Sequence, residues 1–275
     1  MIAALIITLR ETLEATLVTS IVFGYLKKTK QEQYKKYVWA GIVSAIMVSL
    51  LGAWVFTAIA GGFQGRSEEL FEGVTMLVGA ALLTTMILWM LRQKGRIGAL
   101  KERISSTVDN AKRAELFGLV FFSVLREGIE TVIFLNAVLI ASEGHAVLGG
   151  ALGIGIALLL GYALYKESLK LNIKKFFAIS GVILILFAAG LVAHGIHEFQ
   201  EAGVIPVVAE HIWDINPVVE EEGVYPVMHE NGAIGGILKG LFGYNGNPNL
   251  LEVLGYVLYL GVIVGVYKKI DKTKK

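Results

Sequence analysis

Seven long apolar runs dominate the chain, at approximately 2–26, 38–60, 69–91, 116–141, 147–165, 176–197 and 250–267. A helix needs about 20 apolar residues to cross the hydrocarbon core of a bilayer. Uninterrupted runs of that length satisfy their backbone as helices, because lipid offers no hydrogen bonds. The pattern therefore predicts an all-α, polytopic membrane protein with seven transmembrane helices. The polar residues collect in the intervals, and one interval, 198–249, is much longer than the others.

The charges in those intervals predict an orientation. Residues 27–37 carry five lysines, 92–115 seven Lys and Arg, 166–175 four lysines and 268–275 five. Together they hold 21 of the 25 basic residues; Arg66 and Lys239 are the two that fall in the alternate intervals. Basic loops stay cytoplasmic, so the N-terminus is expected outside and the C-terminal tail inside. The basic interval 92–115 is expected to lie as a surface helix against anionic lipid. The long interval 198–249 becomes external. It holds Glu198, Glu201, Glu210, Asp214, Glu220, Glu221, Glu222 and Glu230, together with all four prolines, so short ordered pieces are expected there. All five histidines, His145, His194, His197, His211 and His229, fall on that same outer side. An acidic vestibule concentrates cations.

Composition narrows the chemistry further. Of 275 residues, 55% are hydrophobic and 17% charged, against about 25% charged in soluble proteins; the mean hydropathy is +0.65. There is no cysteine, which removes disulfides, thiolate metal sites and cysteine nucleophiles and leaves oxygen and imidazole as ligands. The N-terminal run lacks a basic flank and contains charges, so it does not read as a signal peptide. No nucleotide-binding motif occurs, and neither ATP chemistry nor a nucleic-acid partner is expected. Gly149, Gly150, Gly153 and Gly161 in the fifth run read as sites of close helix packing.

Two apolar runs contain charges that such runs normally exclude. "TLRETLEAT" places Arg10, Glu11 and Glu14 inside the first, and "VLREGIETV" places Arg126, Glu127 and Glu130 inside the fourth. Each charge at a helix centre costs about 3 kcal/mol on insertion scales, so six are kept only for a use. At 100° per residue the three charges of each motif share one narrow helix face, and the Arg–Glu spacing of four lets each arginine pair with its second carboxylate. The motif-bearing helices run in opposite directions. Helices one to three and four to six thus read as an inverted 3+3 repeat with a seventh helix added, and repeats of this kind place their substrate site near the midplane. Four carboxylates and two arginines sum to −2, a cation site with hard oxygen ligands. Buried ion pairs that only knit two helices together would leave two carboxylates over.

Further carboxylate pairs occur at Glu69/Glu72, at the outer start of the third run, and at Glu198/Glu201 beyond the sixth. Beside the latter, "AHGIHEFQE" sets His194 and His197 within a helical turn of Glu198 and Glu201. His and Glu four apart can share a metal; equally, these groups can cap a helix end or face water. They form a possible outer site.

At "LRETLEA" and "LREGIET" the chain resembles the high-affinity iron permease family, the oxidase-dependent iron transporters whose signature is Arg-Glu-x-x-Glu in the first and fourth helices. The resemblance continues through "EELFEGVTMLVGAALLTTMILWM" (68–90), "HGIHEFQEAGVIP" (194–206), "WDINP" (213–217) and "GYNGNPNLLEVLGYVLYLG" (243–261), and so covers nearly the whole chain. It implies a single transmembrane permease domain over 1–275, in the plasma membrane, importing iron, expected as ferric iron. It assigns Glu11, Glu14, Glu127 and Glu130 to the iron pathway, with Arg10 and Arg126 orienting them. It also implies a separate ferroxidase or extracytoplasmic iron-handling partner and allows a homo-oligomer. Iron is substrate here, and no cofactor is expected. Thr12 departs from the family's usual glycine, which the second motif keeps as Gly128. Other readings are a transporter of Mn(II), Zn(II) or Pb(II), and a membrane-embedded carboxylate metalloenzyme. The latter lacks the Glu-x-x-His spacing of di-iron cores.

Overall fold

The computed structural model describes residues 1–92, 113–141, 146–166, 172–216, 225–230 and 232–272. The expected surface helix over 92–115 falls almost wholly outside the described residues, as do His145 and Glu220, Glu221 and Glu222. Among the described residues there are eight α-helices and no strand: α1 (Ile2–Lys28), α2 (Lys35–Ala60), α3 (Arg66–Arg92), α4 (Arg113–Ala141), α5 (Ala146–Tyr165), α6 (Ile173–Glu201), α7 (Ala233–Phe242) and α8 (Leu250–Lys272).

Each apolar run lies inside a helix that outreaches it. α1 continues through Lys27 and Lys28, α6 through Glu201 and α8 through Lys272. Hydropathy marks only the part of a helix matched to hydrocarbon, while the polar turns at its ends belong to the interface. Among the described residues, five segments are long and apolar enough to cross a membrane by length and composition: Glu32–Ala60, Arg66–Met90, Ala146–Tyr165, Lys175–Glu201 and Leu250–Ile270. α1 and α4 are as long, at 27 and 29 residues, but interrupt their apolarity with the two charged motifs. The ten-residue α7 is too short to span. It lies in the long interval 198–249 and ends on Gly243, whose φ of +66° suits glycine at that position.

The helices pack in crossed pairs. α1 lies mainly against α5, α4 against α2, and α3 against α6; α8 covers α6, and α1 and α4 meet each other. Small residues permit the close approaches. Gly153 on α5 sits against the backbone of Leu5 and the Thr8 hydroxyl of α1, where a side chain would collide, and Thr8 Oγ1 donates to Gly150 O at 3.0 Å.

Two apolar clusters fill the interior. One joins Ala3, Ala4 and Ile7 of α1 to Met76, Leu83, Phe134 and Leu191. The other joins Val22 and Leu26 of α1 to Val38, Ala45, Leu116, Val120 and Val124. Along α1 and along α4 the charged motif falls between the two clusters. The outward face of α2 carries Trp39, Val43, Met47, Leu50 and Trp54, all exposed. Apolar surface of that extent is what lipid covers.

Candidate functional site

Where α1 and α4 meet, the two motifs converge. One carboxylate oxygen each from Glu11, Glu127 and Glu130 lies within 4.8 Å of the others. Among the described residues this is the one group of three or more His, Asp or Glu side chains whose ligand atoms lie so close. Glu11 is fully buried, and Glu14 and Glu127 nearly so.

The arginines are held differently. Arg10 Nη1 donates to Glu11 Oε1 at 3.0 Å, and its Nη2 lies 3.4 Å from Glu14 Oε1, so one guanidinium bridges both carboxylates of its motif. Nη1 also reaches Met86 Sδ at 2.9 Å, Nη2 reaches Met90 Sδ, and the guanidinium carbon is 5.8 Å from the centre of the Phe177 ring. Arg126 donates from Nε to Glu130 Oε1 at 2.8 Å and lies over Trp89, 5.1 Å from the ring centre. The Arg10 side chain is 0% exposed and that of Arg126 42%. Arg126 and Glu130 border an open cavity of about 420 Å³ that is also lined by Leu82, Thr85, Met86 and Trp89.

The second oxygens, Oε2 of Glu11, Glu127 and Glu130, are buried without a hydrogen-bond partner. Native proteins rarely leave buried acceptors unsatisfied, because desolvation then goes uncompensated. The two motifs thus bring together buried carboxylates that each keep an unsatisfied oxygen, where four carboxylates and two arginines carry a formal charge of −2.

The outer residues spread along the crossing of α3 and α6. A side chain at Gly73 would stand 3.2 Å from both Gly195 O and Glu198 Cβ, so the helices nearly touch beside Glu72 and Glu198. The helix does continue through "HEFQE". His197 Nε2 lies 3.2 Å from Glu201 Oε1, and its Nδ1 lies 3.0 Å from Glu252 Oε1. His194 turns elsewhere: its Nδ1 is 3.1 Å from Gly190 O, and the ring lines a small void with Lys239. Glu69 sits half-buried in the first turn of α3. The six residues thus divide between an acidic helix crossing and a separate imidazole.

Sequence reasoning missed two groups. Met86, Trp89 and Met90, on one turn of α3, contact both arginines; as apolar residues in an apolar run they carry no distinguishing signal. Glu252, 2% exposed, is the hub of a polar network. Asn245 Nδ2 donates to its Oε2 at 2.7 Å, Asn249 Nδ2 to its Oε1, and Asn249 Nδ2 also to Gln200 Oε1 at 2.6 Å. A signal existed for this one: Asn249 caps α8, its Oδ1 accepting from Glu252 N at 3.1 Å, and an Asn three residues before a Glu is the pattern of a helix-capping pair.

A multi-pass helical protein that closes paired acidic motifs inside its bundle is, by class, a membrane transporter. The match to known proteins makes this specific. The chain belongs to the iron permease FTR1 family, whose model matches residues 1–271. It is 33% identical over 267 residues to the ferrous iron permease EfeU of Yersinia pestis, covering 94% of this chain and 90% of that one. The ferrous iron permease EfeU of Yersinia pseudotuberculosis is 34% identical over 262 residues, 93% of this chain and 88% of its own. That of Shigella sonnei is 32% identical over 268 residues, 94% and 92%. No solved structure matches. The protein is accordingly a multi-pass membrane transporter of iron, in a family of transporters rather than enzymes.

Proposed function

We propose that this protein imports iron as Fe(II) across the plasma membrane through a site built from Glu11, Glu14, Glu127 and Glu130. The observation that carries the reading is the convergence of carboxylates from the two motifs, each of which keeps a buried oxygen without a hydrogen-bond partner. Fe(II) neutralises the net −2 of four carboxylates and two arginines, whereas a trivalent ion leaves a buried positive charge, which a low-dielectric interior penalises. The relatives' names, ferrous iron permease, favour the same valence. The resemblance drawn from the motifs alone pointed to ferric iron.

The same reading takes seven helices across the membrane as one domain, α1–α6 and α8, with the N-terminus outside. The crossed packing supports an inverted repeat: α1 on α5 answers α4 on α2, and the third helices of the two halves, α3 and α6, face each other. The acidic crossing at Glu72, Glu198 and Glu201 then lies on the outer side, where it gathers cations, and a separate iron-handling partner would deliver to it.

Radiolabelled iron uptake into proteoliposomes tests the proposal, with ascorbate-reduced and oxidised iron and with wild type beside Glu127→Gln. The expected result is uptake by wild type under reducing conditions and background flux in the variant. Uptake confined to oxidised iron would overturn the valence, and equal uptake by the variant would overturn the site. Competition by Mn(II), Zn(II) and Pb(II) measures how selective the carboxylates are.

A further inference from the structure

We propose that the inner end of α3 is an arginine cradle. Met86, Trp89 and Met90 hold the guanidiniums of Arg10 and Arg126 through contacts that carry no charge, so that each can release its carboxylate when a cation arrives. The proposal rests on the carboxylate site described above.

The three residues occupy one helical turn, with Met86 and Met90 about 40° apart and Trp89 about 60° from Met86. They reach both motifs. Arg10 has Glu11 Oε1 at 3.0 Å and Glu14 Oε1 at 3.4 Å from its own helix, and the sulfurs of Met86 and Met90 from α3. Arg126 has Glu130 Oε1 on one side, at 2.8 Å, and the Trp89 ring on the other, at 5.1 Å. A cation that binds Glu11, Glu127 and Glu130 competes with Arg10 for the charge of Glu11 and with Arg126 for that of Glu130. An arginine whose only neighbour were the carboxylate would be stranded by that competition and would oppose it. A carboxylate on α3 would have the reverse fault, drawing the arginine away permanently. Polarizable thioethers and an aromatic face lie between these extremes: each attracts a guanidinium weakly and leaves the carboxylate as the stronger partner. Met86, Trp89 and Met90 are therefore positioning residues acting through the arginines, and cation affinity is the property they set.

The experiment is the iron concentration dependence of uptake in proteoliposomes by Trp89→Leu, Trp89→Phe and the double variant Met86→Leu/Met90→Leu, beside wild type and Glu127→Gln. Without a cradle the arginines stay on the carboxylates. Both leucine variants should raise the half-saturating iron concentration about fivefold with the maximal rate within about twofold, while Trp89→Phe, which keeps an aromatic face, should stay near wild type. A half-saturation unchanged in the leucine variants while Glu127→Gln abolishes uptake would overturn the cradle and keep the site. A lowered maximal rate with unchanged half-saturation, or identical behaviour of Trp89→Phe and Trp89→Leu, would also overturn it. Full uptake by Glu127→Gln would remove the site itself. Should Trp89→Leu fail to reach the membrane folded, Met90→Leu alone, which conserves volume, carries the same expectation.

Discussion

The two Arg-Glu-x-x-Glu motifs share their letters and little of their surroundings. Arg10 is enclosed by Glu11, Glu14, two methionine sulfurs and the Phe177 ring. Arg126 has one carboxylate and one indole, and its flank opens on a cavity. The middle residues differ as well. Gly128 presses on Ser49 of α2, where even a methyl group would collide with the Ser49 side chain. On α1 the bulk is reversed: Thr8 and Thr16 lie on the motif helix and their small partners, Gly153 and Gly161, on α5. Half-buried Thr12 falls on the same stripe of α1 as Thr8 and Thr16. The lesson is that a motif supplies the chemistry, while the helices around it decide how dry and how rigid that chemistry becomes. A repeated motif does not require a repeated environment.

Substitutions can break or sharpen this contrast. The largest effect is expected where the motifs act as one. Glu11→Gln and Glu127→Gln should each reduce iron uptake to background, and substantial uptake by either would mean that the motifs do not form a joint site. Next come the arginines, compared by thermal unfolding in detergent. Arg10→Met leaves buried carboxylates uncompensated and should cost about 3–5 kcal/mol, whereas Arg126→Met removes a half-exposed pair and should cost about 1 kcal/mol or less. Equal losses would erase the difference in environment. Gly128→Ala should destabilise by about 1–3 kcal/mol through overpacking, and adding Ser49→Gly should recover part of it. The smallest effect is expected at Thr12→Gly, about 0.3 kcal/mol from helix propensity alone, with uptake per folded molecule retained.

The helices were legible because lipid leaves one reading for 20 apolar residues in a row. The inner carboxylates were legible for the opposite reason: Arg10, Glu11 and Glu14 violate the pattern around them, and so do Arg126, Glu127 and Glu130. Residues that obey the pattern gave nothing away. Met86, Trp89 and Met90 look like any lipid-facing turn until α1 and α4 are placed beside them. Glu252 was passed over because a charge in a first helical turn is ordinary, and only the fold shows it 2% exposed. His194 and His197, three residues apart, looked like partners; the structure turns one to a backbone carbonyl and the other to Glu201 and Glu252.

The Glu252 network also bears on how the chain is put together. Its two members on α6, His197 and Gln200, are synthesised some fifty residues ahead of Asn249 and Glu252. While α8 is still being made, these groups at the C-terminal end of α6 lack the partners it brings. Arrival of the last helix satisfies them together, through Asn249, Asn245 and Glu252. α8 therefore closes the network, and without it, among the described residues, His197 keeps only Glu201 and Gln200 only the Pro206 carbonyl.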